Sequence, residues 1–463
     1  METVEELKLY KRRWVFLLGV AIFQLLGGFS TTSYGEISDF YVQFFHASHS
    51  TVDWITNARN IGAIFITFPL AWMVFNGKIG LRNMIVIVSF SATIGILLVT
   101  LSFAHRSLFA LIVFGQILWG FSQMVNVSVP ATFAALWFPE SQVGTALSVI
   151  LVGLPLGDVA GFTFPALIES PFNYTREKLS FGELESGQRT LSCMYGSCLA
   201  ISAVVTIFFT IFITDEPPTP PTYAQVIKKS SQITSRTFAN FLQTTRVLFT
   251  NPSYVTACFM FGISFQISLL EIMMMSEIIG DFELSSNISS DKMSGYIMCM
   301  FSLGAVLGTV TAGVVVNRSK KYKLLTILSN SFMFLCTVAM VVSAFFESMA
   351  GIFTSNAFFG FSGGFTSVVS LEILTQLTYP MDETLVNTWM TGIQMTIALL
   401  LGIFGRIMFN AWRGLGLLSF QSSCVFASVL MSCLISAKNR RLDVQPRFNS
   451  ESNVYTPLIT NLH

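Results

Sequence analysis

The sequence predicts an all-α membrane protein with twelve transmembrane helices in two six-helix bundles. Three observations carry that expectation: a shortage of charge, a dozen apolar runs of spanning length, and two halves that repeat. Only 11% of the 463 residues are charged and 52% are hydrophobic, where a soluble chain carries about 25% charge. Mean hydropathy is +0.65. So few charges cannot clothe a water-facing surface of this length, so most side chains must meet lipid or other helices. A net charge of +1 gives no general attraction for polyanions, and nucleic acid is not expected as a partner.

A membrane span needs roughly 20 mostly apolar residues. Runs of that kind between polar breaks fall at 14–35, 52–75, 84–104, 108–137, 142–167, 191–214, 253–279, 293–316, 324–346, 349–377, 385–410 and 415–436. The first follows several charges but is too long for a signal-peptide core and lacks a small-residue cleavage site, so it is expected to stay as a helix. Twelve spans put both termini on one face. With that face in the cytosol, it receives four Lys/Arg before the first span, two at 76–83, and four each at 215–252, 317–323 and in the tail. The other face receives Arg106, Arg176, Lys178, Arg189, Lys292 and Arg413, while Arg59 and Arg406 fall inside spans. The positive-inside rule selects this orientation. The sequons at Asn173 and Asn287 then lie on outer loops as glycosylation sites.

The expected organisation is a cytosolic N-terminus at 1–13, a six-helix bundle at 14–214, a cytosolic central loop at 215–252, a second bundle at 253–436 and a cytosolic tail at 437–463. The central loop opens with Asp215-Glu216-Pro-Pro-Thr-Pro-Pro, a stiff exit from the sixth span. Its second part sets Ile227, Phe238, Phe241, Leu242 and Leu248 among polar residues, the pattern of an amphipathic helix on the inner face.

The halves resemble each other at one offset. Ala71-Trp-Met-Val-Phe-Asn76 is similar to Ala312-Gly-Val-Val-Val-Asn317, an offset of 241 (317 minus 76). Leu136-Trp-Phe-Pro139 with Leu377-Thr-Tyr-Pro380, and Gly35-Glu36-Ile37 with Ser276-Glu277-Ile278, keep the same spacing. Halves of equal orientation form a parallel repeat, the arrangement of major facilitator transporters. In that architecture spans one, four, seven and ten line the central cavity.

Several segments, in order along the chain, resemble the feline leukaemia virus subgroup C receptor-related transporters of the major facilitator superfamily. They are Val52-Asp-Trp54, Gly80-Leu-Arg82, Trp137-Phe-Pro139, Leu156-Gly157 through Gly161-Phe162, Glu216-Pro-Pro-Thr-Pro-Pro221, Asn317-Arg-Ser-Lys-Lys-Tyr-Lys323, Thr378-Tyr-Pro380 and Gln394. The resemblance implies movement of a small organic solute: haem, choline or ethanolamine. In choline-carrying members, aromatic rings in spans one and seven would hold a quaternary ammonium by cation–π attraction. Here Thr31 and Leu269 stand at those places and Pro155 where a span-five Gln would sit, while Gln394 is retained. Where the superfamily usually carries an acidic residue that locks the inner gate, this chain has Gly77 and Asn317.

Ionisable groups inside the bilayer are costly, so each is a functional candidate. Tyr34, Glu36 and Asp39 end the first span, at the outer interface or on the substrate path. Asp53 and Arg59, in the second span, suit ion pairs with other helices. Asp158 lies within Gly153-x-x-x-Gly157-x-x-x-Gly161, a small-residue stripe that reads as close helix packing, and divides between a structural and a cavity role. Glu271, deep in the seventh span with no cation nearby in sequence, must face a cation, water or a bound proton. With Gln394 it forms the expected substrate site. Glu372 reads as structural, with Arg406 as its partner or another acid's. Pro69, Pro130, Pro155 and Pro165 interrupt spans and permit bending.

Seven cysteines, odd in number and without CxxC spacing, read as packing residues and specify no redox compartment. The Met273–Met275 run and the many Phe suit packing or lipid contact better than a haem site. The four His, at 46, 49, 105 and 463, leave no imidazole deep in a span. No P-loop or catalytic constellation is present, and no metal or cofactor is implied, so a secondary transporter rather than an enzyme is expected. The expected location is the plasma membrane, although Tyr455-Thr-Pro-Leu458 fits a lysosomal or endomembrane sorting signal. The alternative is a receptor or scaffold that keeps the fold without transporting. A polar chamber joining Glu271 to Gln394 favours transport, and a Phe-packed interior favours the alternative.

Overall fold

The computed structural model describes residues 9–33, 38–139, 142–168, 181–219, 236–282, 290–379 and 381–436. Among these, regular structure is entirely helical: α1 (Arg12–Thr32), α2 (Ser38–Phe45), α3 (His49–Phe75), α4 (Leu81–Ser102), α5 (Phe109–Trp137), α6 (Val143–Ile168), α7 (Phe181–Phe212), α8 (Phe238–Thr250), α9 (Pro252–Asp281), α10 (Ser290–Ser319), α11 (Tyr322–Phe345), α12 (Met349–Thr378) and α13 (Glu383–Leu434). Eleven of the described helices are long and apolar enough to cross a membrane. The last of them, α13, is two spans merged, because Arg413 breaks its 52 residues with φ 59° and ψ −160°. The twelve expected spans are all there.

Helix starts follow side-chain chemistry. Ser48, Thr237, Asn251, Ser348 and Asp382 each accept a hydrogen bond from a backbone N–H of the first turn of α3, α8, α9, α12 and α13, satisfying donors that have no intrahelical partner. Pro252 follows the Asn251 cap, where a missing N–H costs nothing. The duplication survives in the element ends. Leu81 and Tyr322 open α4 and α11, and Trp137 and Thr378 close α5 and α12, both pairs 241 apart (322 minus 81, 378 minus 137).

Two expectations change. The sixth span begins at Phe181 rather than near 191, carrying charged Glu185 and Arg189 on a turn that stands beyond the apolar core. α2, read as part of an outer segment, is a short helix whose Phe40, Tyr41, Phe44 and Phe45 are buried against Phe103, Phe109 and Tyr195. It caps the first bundle at the face opposite the start of α1 and the end of α13, here called the far face; those two helix ends lie at the near face.

Small residues bring backbones together. A Cβ on Gly153, Gly157 or Gly161 of α6 would collide with Ala21 O, Leu25 O or Thr32 Oγ1 of α1, so the expected stripe is the α1–α6 contact. The second bundle repeats the device at α10–α12: Gly304 and Gly308 lie on Ala357 O and Phe361 O, and Gly360 and Gly364 on Phe301 O and Ala305 O. The two bundles meet along α3–α13, α5–α13 and α6–α10.

Candidate substrate site

In the first bundle, the candidate residues gather where α1, α3 and α6 meet. Arg59 is buried and its Nη1 donates to Thr31 Oγ1 at 2.8 Å. Thr31 in turn donates to Gly27 O at 2.8 Å. Asp158 interacts electrostatically with Arg59, and its Oδ1 would stand 3.0 Å from a Cβ on Gly28. Only a glycine lets the carboxylate lie this close to α1. Thr31, Arg59 and Asp158 therefore form one polar cluster, and Asp158 serves the α1–α6 interface as well. Tyr34, Glu36, Asn173 and Asn287 lie outside the described residues, and nothing is described of the Asp53 side chain.

In the second bundle, Glu271 of α9 is 1% exposed and lies against the Asn356 amide of α12. Neither carboxylate oxygen completes a hydrogen bond among the described residues, and both polar atoms of Asn356 are likewise unsatisfied. A buried carboxylate without satisfied lone pairs is expensive. Gln394 of α13 is fully buried with both amide atoms open. It stands beside Gly262 of α9, whose Cβ would approach its Cα at 3.6 Å.

Nine helical residues separate Gly262 from Glu271, about 13 Å of depth at 1.5 Å per residue. The structure therefore sets Glu271 and Gln394 at two levels rather than on one ligand-sized ring. Between them Gln266 carries two more open polar atoms, and in the α9–α13 seam Leu270 packs on Gly405 and Ile397 on Gly262. Leu269 is half-buried in the second bundle's core. Sequence reasoning weighed charges and passed over Gln266, Asn356 and Asn387. The signal was there, since an amide inside a span also needs partners.

Arg406 pairs with Glu277. Its Nη1 lies 2.5 Å from Glu277 Oε2 of α9. One turn further, Asp281 accepts from Gly414 N at 2.9 Å and faces Arg413 at 3.8 Å. α9 thereby pins α13 at the break. At the near face Tyr254 OH donates to Val386 O at 2.9 Å, so the two helices are tied at both ends.

The bundles touch on both sides of these residues. Near the termini, Thr132 and Thr384 hydroxyls are 3.0 Å apart and Asn317 Nδ2 donates to Thr145 Oγ1 at 2.9 Å. Toward the far face, Thr163 Oγ1 is 3.8 Å from Cys299 Sγ. Glu271, Gln394, Arg59 and Asp158 are all buried.

The family model of the Major Facilitator Superfamily matches residues 18–403. The chain belongs to the Major Facilitator Superfamily. As a major facilitator protein it is a secondary transporter. Its relatives include an uncharacterized MFS-type transporter, C09D4.1, of Caenorhabditis elegans, 26% identical over 455 residues that make up 95% of this chain and 72% of the relative. The choline/ethanolamine transporter FLVCR2 of Homo sapiens is 25% identical over 82% of this chain and 69% of its own length. The choline/ethanolamine transporter FLVCR1 of Mus musculus is 22% identical over 94% and 76%. The fold is shared with the fucose:proton symporter FucP of E. coli, at 14% identity and a TM-score of 0.63 over 92% of this chain and 100% of FucP.

Proposed function

We propose that this major facilitator protein carries a small organic cation of the choline/ethanolamine class across the membrane by alternating access. The observation that carries the reading is Glu271, a buried carboxylate that has the Asn356 amide beside it and faces no cation among the described residues, in the lining helix of the second bundle. A cation or a donor-bearing headgroup supplies what that carboxylate lacks. The Asn356 amide beside it offers donor and acceptor to a hydroxyl on the same solute. Gln394, a level closer to the termini, meets the solute on its way to the near face, and Thr31 and Asp158 complete the opposite wall. The similarity to choline/ethanolamine transporters along most of the chain supports the same class. Haem, the other solute the resemblance implies, gains no histidine from any depth of a span.

The near face is the cytosolic one, because it holds most Lys and Arg. The bundles span 14–214 and 253–436, and Asn173 and Asn287 face outward as glycan acceptors. The plasma membrane is the proposed location, and the chain performs transport without covalent chemistry on its solute. The test is uptake by purified protein in proteoliposomes of radiolabelled choline and ethanolamine, with a neutral sugar as control. The reading expects saturable uptake of at least one cation, suppressed by excess of the same unlabelled cation. Uptake of neither cation above protein-free vesicles overturns it.

A further inference from the structure

At the near face the seam between the bundles already holds the Thr132–Thr384 and Asn317–Thr145 contacts. The central-loop helix α8 supplies a ring. Phe241 is 0% exposed although its helix lies at the edge of the molecule, with Phe238 and Leu242 of the same helix nearly half exposed. The ring enters a cluster drawn from both bundles. Phe68, Trp72 and Phe75 of α3 lie 5.6, 5.2 and 5.6 Å away, centroid to centroid. Trp389 of α13 stacks on it at 6.4 Å with 21° between planes, and Trp389 also meets Phe68 at 6.1 Å. These separations are those of favourable aromatic pairs.

The placement matters because α3 belongs to one bundle and α13 to the other. Opening the near face requires their ends to part, and Phe241 bridges them. Trp389 is five residues beyond Thr384, whose hydroxyl meets Thr132 across the same seam. Leu385 and Ala71 pack in the same cluster as Phe241. The loop helix therefore touches the moving parts, whereas a mere connector would lie clear of them. Its position is fixed independently: Thr237 caps its first turn, and it runs almost directly into the α9 cap at Asn251.

We propose that Phe241 is a latch on the near-face gate: its ring, presented by α8, joins α3 to α13 in the closed form and must withdraw from one of them before the solute can leave on that side. The inference rests on the alternating-access reading but not on which solute is carried. An aromatic bridge of this kind does the work of a salt bridge without its sensitivity to ionic strength.

The test reads the gate directly. Thr384→Cys places a thiol under the latch, and its labelling by a hydrophilic maleimide in permeabilised membranes is measured against the chain that keeps Thr384. Adding Phe241→Ala is expected to raise the labelling rate by roughly tenfold or more, the shift expected when a fully buried ring is removed from one of two conformations. Leu242→Ala, on the half-exposed side of α8, is expected to leave it unchanged. If Phe241→Ala does not reach the membrane, Phe241→Leu decides: it keeps apolar volume, loses the ring, and is expected to raise the rate about threefold. A labelling rate unchanged by Phe241→Leu and, where that variant is expressed, by Phe241→Ala overturns the latch, and so does an equal rise from Leu242→Ala. Because no transported solute enters the assay, a failed uptake panel leaves this result readable.

Discussion

A guanidinium inside a membrane span is tolerable through what it touches, and Arg406 touches Glu277. Their side chains are 23% and 33% exposed, so the pair is only partly desolvated by protein and its loss costs less than that of a fully buried one. Arg406→Leu is expected to destabilise the detergent-solubilised protein by about 1–2 kcal/mol, read as a melting midpoint several degrees lower. Adding Glu277→Leu is expected to recover most of it, because no orphan charge is left; a double variant no better than the single one contradicts the pairing. The charge of Arg406 was legible in the sequence but its partner was not. Glu277 lies 129 residues away, and only helix packing chooses between it and Glu372. Gln394 illustrates the converse. Resemblance singled out the residue, but its depth relative to Glu271 follows from the register of α9 against α13, which no local pattern encodes.

At the scale of elements, the spans were legible because twenty apolar residues between polar breaks leave few alternatives in a bilayer. The small-residue stripe of α6 was legible for a similar reason: three glycines four apart share one helix face. What it packs against was not, and α1 proves to be the neighbour. Gly157→Leu drives a side chain into Leu25 O and is expected to abolish a monodisperse, membrane-inserted product or reduce it several-fold. Gly196→Leu, where a Cβ meets nothing within 4 Å, is the control and should express normally. Equal yields of both would show that α1 and α6 can separate freely. The amphipathic pattern of Phe238, Phe241, Leu242 and Leu248 announced α8, since apolar residues recur there at helical spacing; Ile227, read as part of the same pattern, lies outside the described residues. α2 went unread because eight residues are too few for a span and its burial depends on Phe103 and Tyr195 arriving from distant helices.

For the whole molecule, duplication explains the architecture and its asymmetry explains the function. Both bundles use glycine contacts, α1–α6 and α10–α12, to hold their helices tightly, so each can move as a body about the seams between them. The polar chemistry did not stay symmetric. The first bundle balances Asp158 against Arg59, whereas the second leaves Glu271 beside an amide with its oxygens open. In the proposed function this carboxylate holds a cationic solute. Glu271→Gln preserves shape and removes the charge. In proteoliposomes, with the cation found to be transported, the apparent affinity is expected to be roughly 30-fold weaker or worse, the effect of about 2 kcal/mol for deleting one partner of a buried charge pair. Protein insertion should be unchanged. A Glu271→Gln protein that inserts normally and transports the cation with unaltered affinity would contradict the claim.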